Sequence, residues 1–267
     1  MTRSTKEPRG IQSIEVGYRV LLAIHAGPGP VILRDIAERA SLTPSAAHNY
    51  LVSFVRTGLV QTDQRGSYQL GPSAVALGFT ALKHFTPFDV VHAEALRLHE
   101  KLGTGVAILQ WSDQGPIIVF KKEGIRRGAF VLRNGYVPLL TTGGGNIFIA
   151  HLDEKATKPV ALAELKAKGR PARDCAAVLA EIRETVLRQG YSARQLETLP
   201  GFGALSAPVW DVNDDVVYAL TLTGPAEGLD FERDGAHIPE LLKSARQASL
   251  QLGANAERWT DHESQKG

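Results

Sequence analysis

The first 71 residues contain short amphipathic segments separated by helix-breaking residues. Apolar positions recur every three or four residues over 13–26, which predicts a helix with Ser13 as its N-cap. These positions are Ile14, Gly17, Val20, Leu21 and Ile24. The Gly-Pro-Gly-Pro segment 27–30 ends this helix. A shorter amphipathic pattern over 33–40 predicts a second helix.

A third helix is predicted over 44–56. The Thr43 hydroxyl is a capping group, and Pro44 stands at the first helical position, where a missing N–H costs nothing. The helical period divides the residues into two faces. The predicted inward residues are Ala47, Leu51, Phe54 and Val55, and the predicted outward residues are Ser45, His48, Asn49, Val52 and Arg56.

Two short alternating runs, 59–62 and 67–70, flank a polar tip at 63–66, which predicts a β-hairpin. Three helices followed by a hairpin, with only a few residues between the second and third helices, are typical of a winged helix-turn-helix. The ordered set is more specific than any of its elements.

The rest of the chain predicts an α+β domain in which strand pairs alternate with helices. Strand-like runs at 105–111 and 117–120 are joined by a turn at 112–116, a further strand is predicted at 130–132, and runs at 203–210 and 216–223 form another hairpin. The predicted organisation is a DNA-binding domain at 1–71, a linker helix at 72–86, a sensing domain at 87–253 and a polar tail at 254–267.

Composition excludes several classes of protein. The 267 residues are 43% hydrophobic and 22% charged, as expected for a globular chain with a substantial core. One cysteine, Cys175, excludes an internal disulfide framework and a cysteine-based zinc site, which fits a reducing cytoplasm. An uninterrupted run of about 18 apolar residues, the length of a membrane span, is absent from the sequence, and the polar N-terminus does not resemble a signal peptide.

Positive charge is concentrated near the N-terminus. Residues 1–70 carry eight basic and five acidic residues, a net of +3, while the remainder carries 22 basic and 23 acidic residues, a net of −1. This asymmetry is consistent with contact to phosphate, although many basic surfaces serve only to stay solvated.

Short segments spread over nearly the whole chain resemble the IclR family of bacterial regulators. In the N-terminal part these are Gln12-Ser13, Leu21-Leu22, Asp35-Ile36-Ala37, Ala47-His48, Gly58-Leu59-Val60 and Tyr68-Gln69-Leu70-Gly71. In the C-terminal part they are Pro138-Leu139, the glycines 143–145, Gly190-Tyr191-Ser192, Ala207-Pro208-Val209 and Leu222-Thr223-Gly224-Pro225. The resemblance implies a GAF-like effector domain, dimers or tetramers, and control of catabolic genes by a small metabolite.

The chain departs from the family pattern at four positions. A common recognition-helix arginine is replaced by Asn49, and the usual capping serine or threonine of the second helix by Leu33. A histidine before the Gly-rich loop is replaced by Leu140, and a lysine after it by Asn146. These differences concern the operator sequence and the ligand rather than the class of protein.

The candidate DNA contacts are side chains suited to base edges or phosphate. Asn49 could pair with adenine, Ser45 and His48 could contact base or backbone, and Arg56 could contact phosphate. Arg65 at the tip of the hairpin could enter a minor groove, and Arg34 could reach the backbone. The alternative for each is an ordinary solvated side chain. Because one copy carries few such contacts, a dimer on a pseudo-palindromic double-stranded operator is expected, with the linker helix as its interface.

The candidate effector site centres on the loop 141–146, which precedes a predicted helix. Its N–H groups could hold a carboxylate, and Gly143 and Gly144 would permit close approach. The family resemblance adds Arg126, Ala129, Phe202, Ala204, Thr221 and Thr223, and it places Arg194 where related proteins can carry an acidic residue. The two arginines favour an anionic, carboxylate-bearing effector. The alternative is a tight turn, strand-forming threonines and solvated arginines.

The sequence lacks the spacing of a P-loop, a dinucleotide fingerprint, a zinc-protease motif or a nucleophile elbow, so no cofactor, metal or catalytic residue is expected. Cys175 is expected to be a small buried residue. Two alternatives remain: an enzyme with an appended structural winged helix, which would need an acid or base in the pocket, and a protein-binding adaptor, which would need an apolar third-helix face.

Overall fold

The computed structural model describes residues 10–27, 29–83, 86–124, 135–196 and 200–255. The chain divides into two compact units, Met1–Phe85 and Thr86–Gly267. Among the helices in these ranges, none is both long enough and apolar enough to cross a membrane.

The first unit consists of helices and one small hairpin. Its elements are α1 (Gln12–His25), α2 (Leu33–Arg39), α3 (Pro44–Arg56), β1 (Val60–Thr62), β2 (Tyr68–Leu70) and α4 (Pro72–Lys83). The two strands pair antiparallel, and Val31 adds a bridge to Tyr68 with main-chain N···O distances of 2.8 Å in both directions. The buried core is Val20, Ala23, Ile24, Val31, Ile36, Ala40, Leu51 and Val60. These elements confirm the predicted winged helix-turn-helix.

Three sequence-based details of this unit are wrong. The N-cap of α1 is Ile11 rather than Ser13, because the helix begins at Gln12, two residues earlier than an N-cap at Ser13 implies, and Ser13 lies in its first turn. Ile14 is 66% exposed and Val55 is 41% exposed. Helix α3 packs against α1 through Tyr50 and Phe54, which lie beside Gly17 of α1. This contact leaves Val55 on the exposed side of α3.

The second unit is a six-stranded antiparallel sheet between helices. Its elements are α5 (Pro87–Leu102), β3 (Gly105–Ser112), β4 (Gly115–Lys122), β5 (Gly135–Tyr136), α6 (Gly143–His151), α7 (Glu154–Ala167), α8 (Cys175–Gln189), β6 (Ser192–Gln195), β7 (Phe202–Trp210), β8 (Val216–Pro225) and α9 (Ile238–Gln251). The strand order is β5-β4-β3-β8-β7-β6. The pairing of β3 with β8 therefore joins the strands β3 to β5 to the strands β6 to β8. The α+β class is as predicted.

The two faces of the sheet pack against different helices. Helices α5 and α9 cover the face that contains Ile108, Leu205 and Leu220, all fully buried, and Phe88 of α5 contacts Tyr218 edge to face at 6.4 Å between centroids. Helix α6 packs on the opposite face, with α7 and α8 outside it. The predicted turn 112–116 is shorter than expected, because Ser112 pairs directly with Gly115. The predicted strand at 130–132 lies outside the described residues.

Ser41 provides a test of the helix-turn-helix geometry. It joins α2 to α3 with φ +55°, a left-handed conformation in which a Cβ costs free energy, while Leu42 N–H donates to Ala37 O at 2.8 Å. Ser41→Gly should therefore raise the free energy of unfolding of this unit by about 0.5–1 kcal/mol in denaturant titrations. Ser53→Gly, the same change inside α3, should lower it by about 1 kcal/mol. A destabilised Ser41→Gly protein would contradict the strain argument.

Candidate nucleic-acid interface and effector site

The exposed face of α3 carries the predicted base-contacting residues. Thr43 caps the helix, its hydroxyl accepting from Ala46 N–H at 3.3 Å. Ser45, His48 and Asn49 are exposed, as is Arg56 near the end of the helix, and their spacing places them along one side. This side offers hydroxyl, imidazole, amide and guanidinium groups, which can donate to and accept from the edges of bases.

The hairpin tip is held by a side chain. Asp63 Oδ1 accepts from the N–H groups of Arg65 and Ser67, both at 2.8 Å, so the turn has a fixed shape. The Arg65 side chain is exposed at this tip, and Arg34 is exposed on α2. Both cations are therefore accessible to phosphate.

Two rows of small and polar side chains cross the sheet on the face covered by α6. The strand register aligns Arg194, Ala204, Thr223 and Gly105 in one row. The neighbouring row is Ser192, Ser206, Thr221 and Ala107. Phe202, half-buried, lies two residues before Ala204 and so belongs to the same face. The structure thus brings together five of the predicted effector residues: Arg194, Phe202, Ala204, Thr221 and Thr223.

The buried hydroxyls of these rows are hydrogen-bonded. Ser206 Oγ and Thr221 Oγ1 lie 2.8 Å apart, and either group can donate. Thr223 Oγ1 donates to Gly203 O at 3.2 Å. Ala107, Ala204, Thr221 and Thr223 are all at least nine-tenths buried, and none is larger than threonine. This part of the sheet therefore presents small side chains with polar groups among them.

Gly143 and Gly144 lie in the first turn of α6 rather than in a loop before it. A Cβ at Gly143 would lie 2.6 Å from Ser206 Oγ, and one at Gly144 would lie 2.5 Å from Leu109 Cδ2. Close packing of the helix on the sheet thus accounts for both glycines, and approach to a ligand stays a prediction. Thr142 Oγ1 accepts from Gly145 N–H at 3.1 Å, which removes that donor from the predicted anion-binding set.

Asn146 connects the α6 turn to Arg194. It is 2% exposed, and its amide groups are matched to their surroundings when the nitrogen donates to Leu140 O at 3.1 Å and Thr142 O at 3.3 Å. The amide oxygen then accepts from Arg194 Nε at 2.7 Å and Nη2 at 3.2 Å. Ser192 Oγ lies 3.4 Å from the same amide. Among the residues that the structure describes, no carboxylate forms an ion pair with Arg194.

Two charged side chains from the outer helices hold the ends of α6. The Glu164 carboxylate of α7 accepts from the main-chain N–H groups of Leu139 and Leu140, the latter at 3.0 Å. The Arg183 guanidinium of α8 donates to Ile149 O at 2.9 and 3.1 Å and to Leu152 O at 2.9 Å. The segment that forms the site is thus fixed both before α6 begins and where it ends.

The remaining predictions concern two effector residues, the cysteine and metal binding. Arg126 and Ala129 lie outside the described residues. Cys175 is 2% exposed, as predicted, and burial raises the pKa of its thiol, as expected for a packing residue. Within the described ranges, no group of three or more His, Cys, Asp or Glu side chains is arranged to hold a metal ion.

Sequence reasoning assigned no role in the candidate site to four side chains: those of Ser192, Ser206, Asn146 and Glu164. The first two are detectable in principle, since they lie two residues from Arg194 and Ala204 and so share their face in a strand. Glu164 gives no comparable sequence pattern, because it is 24 residues from the nearest amide that it binds at 3.0 Å.

Comparison with known proteins identifies the class of protein. Residues 13–64 match the model of the IclR helix-turn-helix domain, and residues 80–250 match the model of the bacterial transcriptional regulator IclR C-terminal domain. The chain is therefore a DNA-binding transcriptional regulator and not an enzyme. It belongs to the IclR family, as its sequence patterns had indicated.

Individual relatives support this assignment along the whole chain. The glycerol operon regulatory protein of Streptomyces coelicolor is 32% identical over 92% of this chain and 98% of that protein. The transcriptional repressor IclR of Escherichia coli is 26% identical over 91% and 90% of the two chains. The crystal structure of Pseudomonas aeruginosa HmgR is 28% identical over 92% of this chain and 99% of that one, with a TM-score of 0.74.

Removing the Glu164 carboxylate should destabilise the second unit. Glu164→Ala leaves the amides of Leu139 and Leu140 without their acceptor, which should cost about 2–3 kcal/mol of unfolding free energy in denaturant titrations. Glu181→Ala, an exposed glutamate on α8, should change stability by less than about 0.5 kcal/mol. Equal stabilities for the two variants would contradict an anchoring role for Glu164.

Proposed function

We propose that this regulator binds a pseudo-palindromic operator as a homodimer or larger assembly, and that a small carboxylate-bearing metabolite controls its operator affinity. The observation that carries the proposal is the pair of rows of small and polar side chains beneath α6, in which Thr221 and Thr223 are buried and Arg194 is exposed on the edge strand β6. Small or apolar walls with a few convergent polar groups are the composition expected of a ligand pocket.

The DNA-binding half of the proposal rests on the exposed side chains of α3 and the hairpin. Ser45, His48 and Asn49 are assigned to base edges, and Arg34, Arg56 and Arg65 to the phosphate backbone or minor groove. Six such contacts from one copy give modest affinity. Two copies on half-sites one helical turn apart, about 34 Å, would double the set.

Self-association is supported by apolar surface in the first unit. One side of α1 exposes Ile14, Tyr18 and Leu22, at 66, 60 and 43%. Ile11, three residues before Ile14, is 64% exposed, and spacings of three and four residues place all four on one side of the helix. Helix α4, the predicted linker, exposes Val75, Leu77 and Phe79 at 52, 64 and 65%. Apolar surface of this extent is characteristic of an interface, and a second copy is the proposed partner.

Effector control requires a difference in affinity between two arrangements of the assembly. A metabolite changes operator binding only as far as it favours one arrangement over the other. The proposed site is suited to this, because its α6 segment is fixed by Glu164 and Arg183 and would transmit strain rather than absorb it.

Genome-wide selection of bound fragments by the purified protein tests the DNA-binding half. At near-physiological salt, a pseudo-palindromic motif should be enriched, and the adjacent genes identify the pathway of the metabolite. Absence of enrichment by a folded, dimeric protein would contradict operator recognition by this α3 face.

Two variants separate base contact from phosphate contact. Asn49→Ala should weaken binding to the selected motif by about 1–3 kcal/mol and relax the preference at one base pair of each half-site. Arg56→Ala should weaken all fragments alike and reduce the slope of log affinity against log salt by about 1 per contact. Arg188→Ala on α8 is the control and should leave the selected motif unchanged. A motif altered by Arg188→Ala, or one unaltered by Asn49→Ala, would overturn the assignment of Asn49 to a base edge.

A double substitution tests the effector half. Thr221→Val with Thr223→Val keeps the side-chain shape but removes both buried hydroxyls, and it should weaken binding of a small carboxylate by about tenfold or more in calorimetry. Acetate, pyruvate, succinate, benzoate and phenylacetate form the test panel. Thr185→Val on α8 should bind them like the wild type. Undiminished binding in the double variant would remove Thr221 and Thr223 from the site.

A further inference from the structure

We propose that Asn146 is a specificity-determining residue that orients Arg194 and thereby makes the effector site select carboxylates over uncharged ligands of the same shape. The inference rests on the effector half of the proposed function. It gives the side chain of Asn146 a role that the predicted site did not assign to it. The pair of Asn146 and Arg194 would distinguish a carboxylic acid from the corresponding amide.

The amide of Asn146 has a single favourable orientation. Its nitrogen is directed at two main-chain carbonyls, of Leu140 and Thr142, at 3.1 and 3.3 Å. A carbonyl oxygen can only accept, so the side-chain nitrogen must face these two groups. The side-chain oxygen is therefore directed at the guanidinium of Arg194, and at 2% exposure the amide has no freedom to turn over.

This orientation fixes one edge of the guanidinium. The Asn146 oxygen accepts from Nε at 2.7 Å and from Nη2 at 3.2 Å, which occupies two of the five N–H groups of arginine. The remaining three N–H groups stay available. Because guanidinium is planar, holding one edge also sets the plane and direction of the others.

The partner of the guanidinium carries no charge, and this determines the ligand class. An aspartate at 146 would neutralise Arg194, whereas an amide orients the guanidinium without supplying a counter-charge, and Arg194 itself is exposed on the edge strand β6. No described carboxylate pairs with Arg194. The strand register places Arg194 in one row with Ala204 and Thr223, so the charge stands at the end of the proposed pocket floor. A carboxylate, the class that the proposed function assigns to this site, can accept two parallel hydrogen bonds from an oriented guanidinium.

Matched acid and amide probes test this selectivity. Acetate, benzoate and phenylacetate are each compared with acetamide, benzamide and phenylacetamide by calorimetry. The wild-type protein should prefer the acid of at least one pair by about 10- to 100-fold, the range expected for a charge-assisted hydrogen bond. Arg194→Gln should abolish the preference. Arg188→Gln, which removes an exposed arginine of α8, should retain it.

A double-substitution cycle tests whether Asn146 acts through Arg194. Asn146→Leu should reduce the preference for the acid by about tenfold while changing amide binding less than about threefold. Arg194→Gln and the double variant should then have the same preference, because Asn146 has nothing to orient once the guanidinium is gone. Additive losses, or an acid preference unchanged in Asn146→Leu, would overturn the inference and leave the proposed function intact.

The pairing itself is tested without any ligand by nitrogen-15 spectra of the arginine Nε–H groups. In the wild-type protein the Nε proton of Arg194 should exchange slowly with water, as should that of Arg183, which donates to Ile149 O at 3.1 Å. Asn146→Leu should speed exchange at Arg194 alone. Rapid exchange at Arg194 in the wild type overturns the inference. Slow exchange without binding of any acid in the panel overturns both the selectivity and the carboxylate part of the proposed function.

Discussion

The pairing of β3 with β8 determines where the residues of the proposed effector site lie. These strands are more than 100 residues apart in the sequence, yet Ala107 stands opposite Thr221 and Gly105 opposite Thr223. Because side chains alternate across a sheet, a slip of one residue would move the threonines to the α5–α9 face and place Leu220 and Leu222 under α6. Both of these leucines are fully buried against apolar neighbours, so the core enforces the register that aligns the polar rows.

The same packing constrains α6. Its glycines let the helix approach the sheet until Gly143 meets Ser206 and Gly144 meets Leu109, and charged groups of α7 and α8 hold the segments at its two ends. A side chain at Gly144 would force the helix away from Leu109. The distance between α6 and the polar rows is therefore fixed by these contacts, and in the proposed site it would limit the size of the ligand.

The sequence was most informative where structure is local. The Thr43-Pro44 cap and the exposed residues of α3 follow from helical period alone, and the strands of the hairpins follow from alternation. Arg194, Thr221 and Thr223 were assigned to the proposed site through family resemblance, and the strand register brings them onto one face. Ser192, Ser206 and Asn146 were missed, because their importance depends on which strands become neighbours. The exposed Ile14 and Val55 were wrongly expected to be buried, since period specifies a face but not which part of it the partner helix covers.

The hydrogen bond between Ser206 and Thr221 has a consequence for the chemistry that the site can accept. Since either hydroxyl can be the donor, its direction can reverse by rotation of two protons, with no heavy atom displaced. The pair can therefore offer a lone pair or a hydrogen to whatever lies beside it. Two ligands that differ only in tautomer, or in a hydroxyl in place of a carbonyl, could therefore be bound without any change in the positions of the heavy atoms of Ser206 and Thr221. In the proposed site, selection by charge at Arg194 is thus compatible with tolerance beside Ser206 and Thr221.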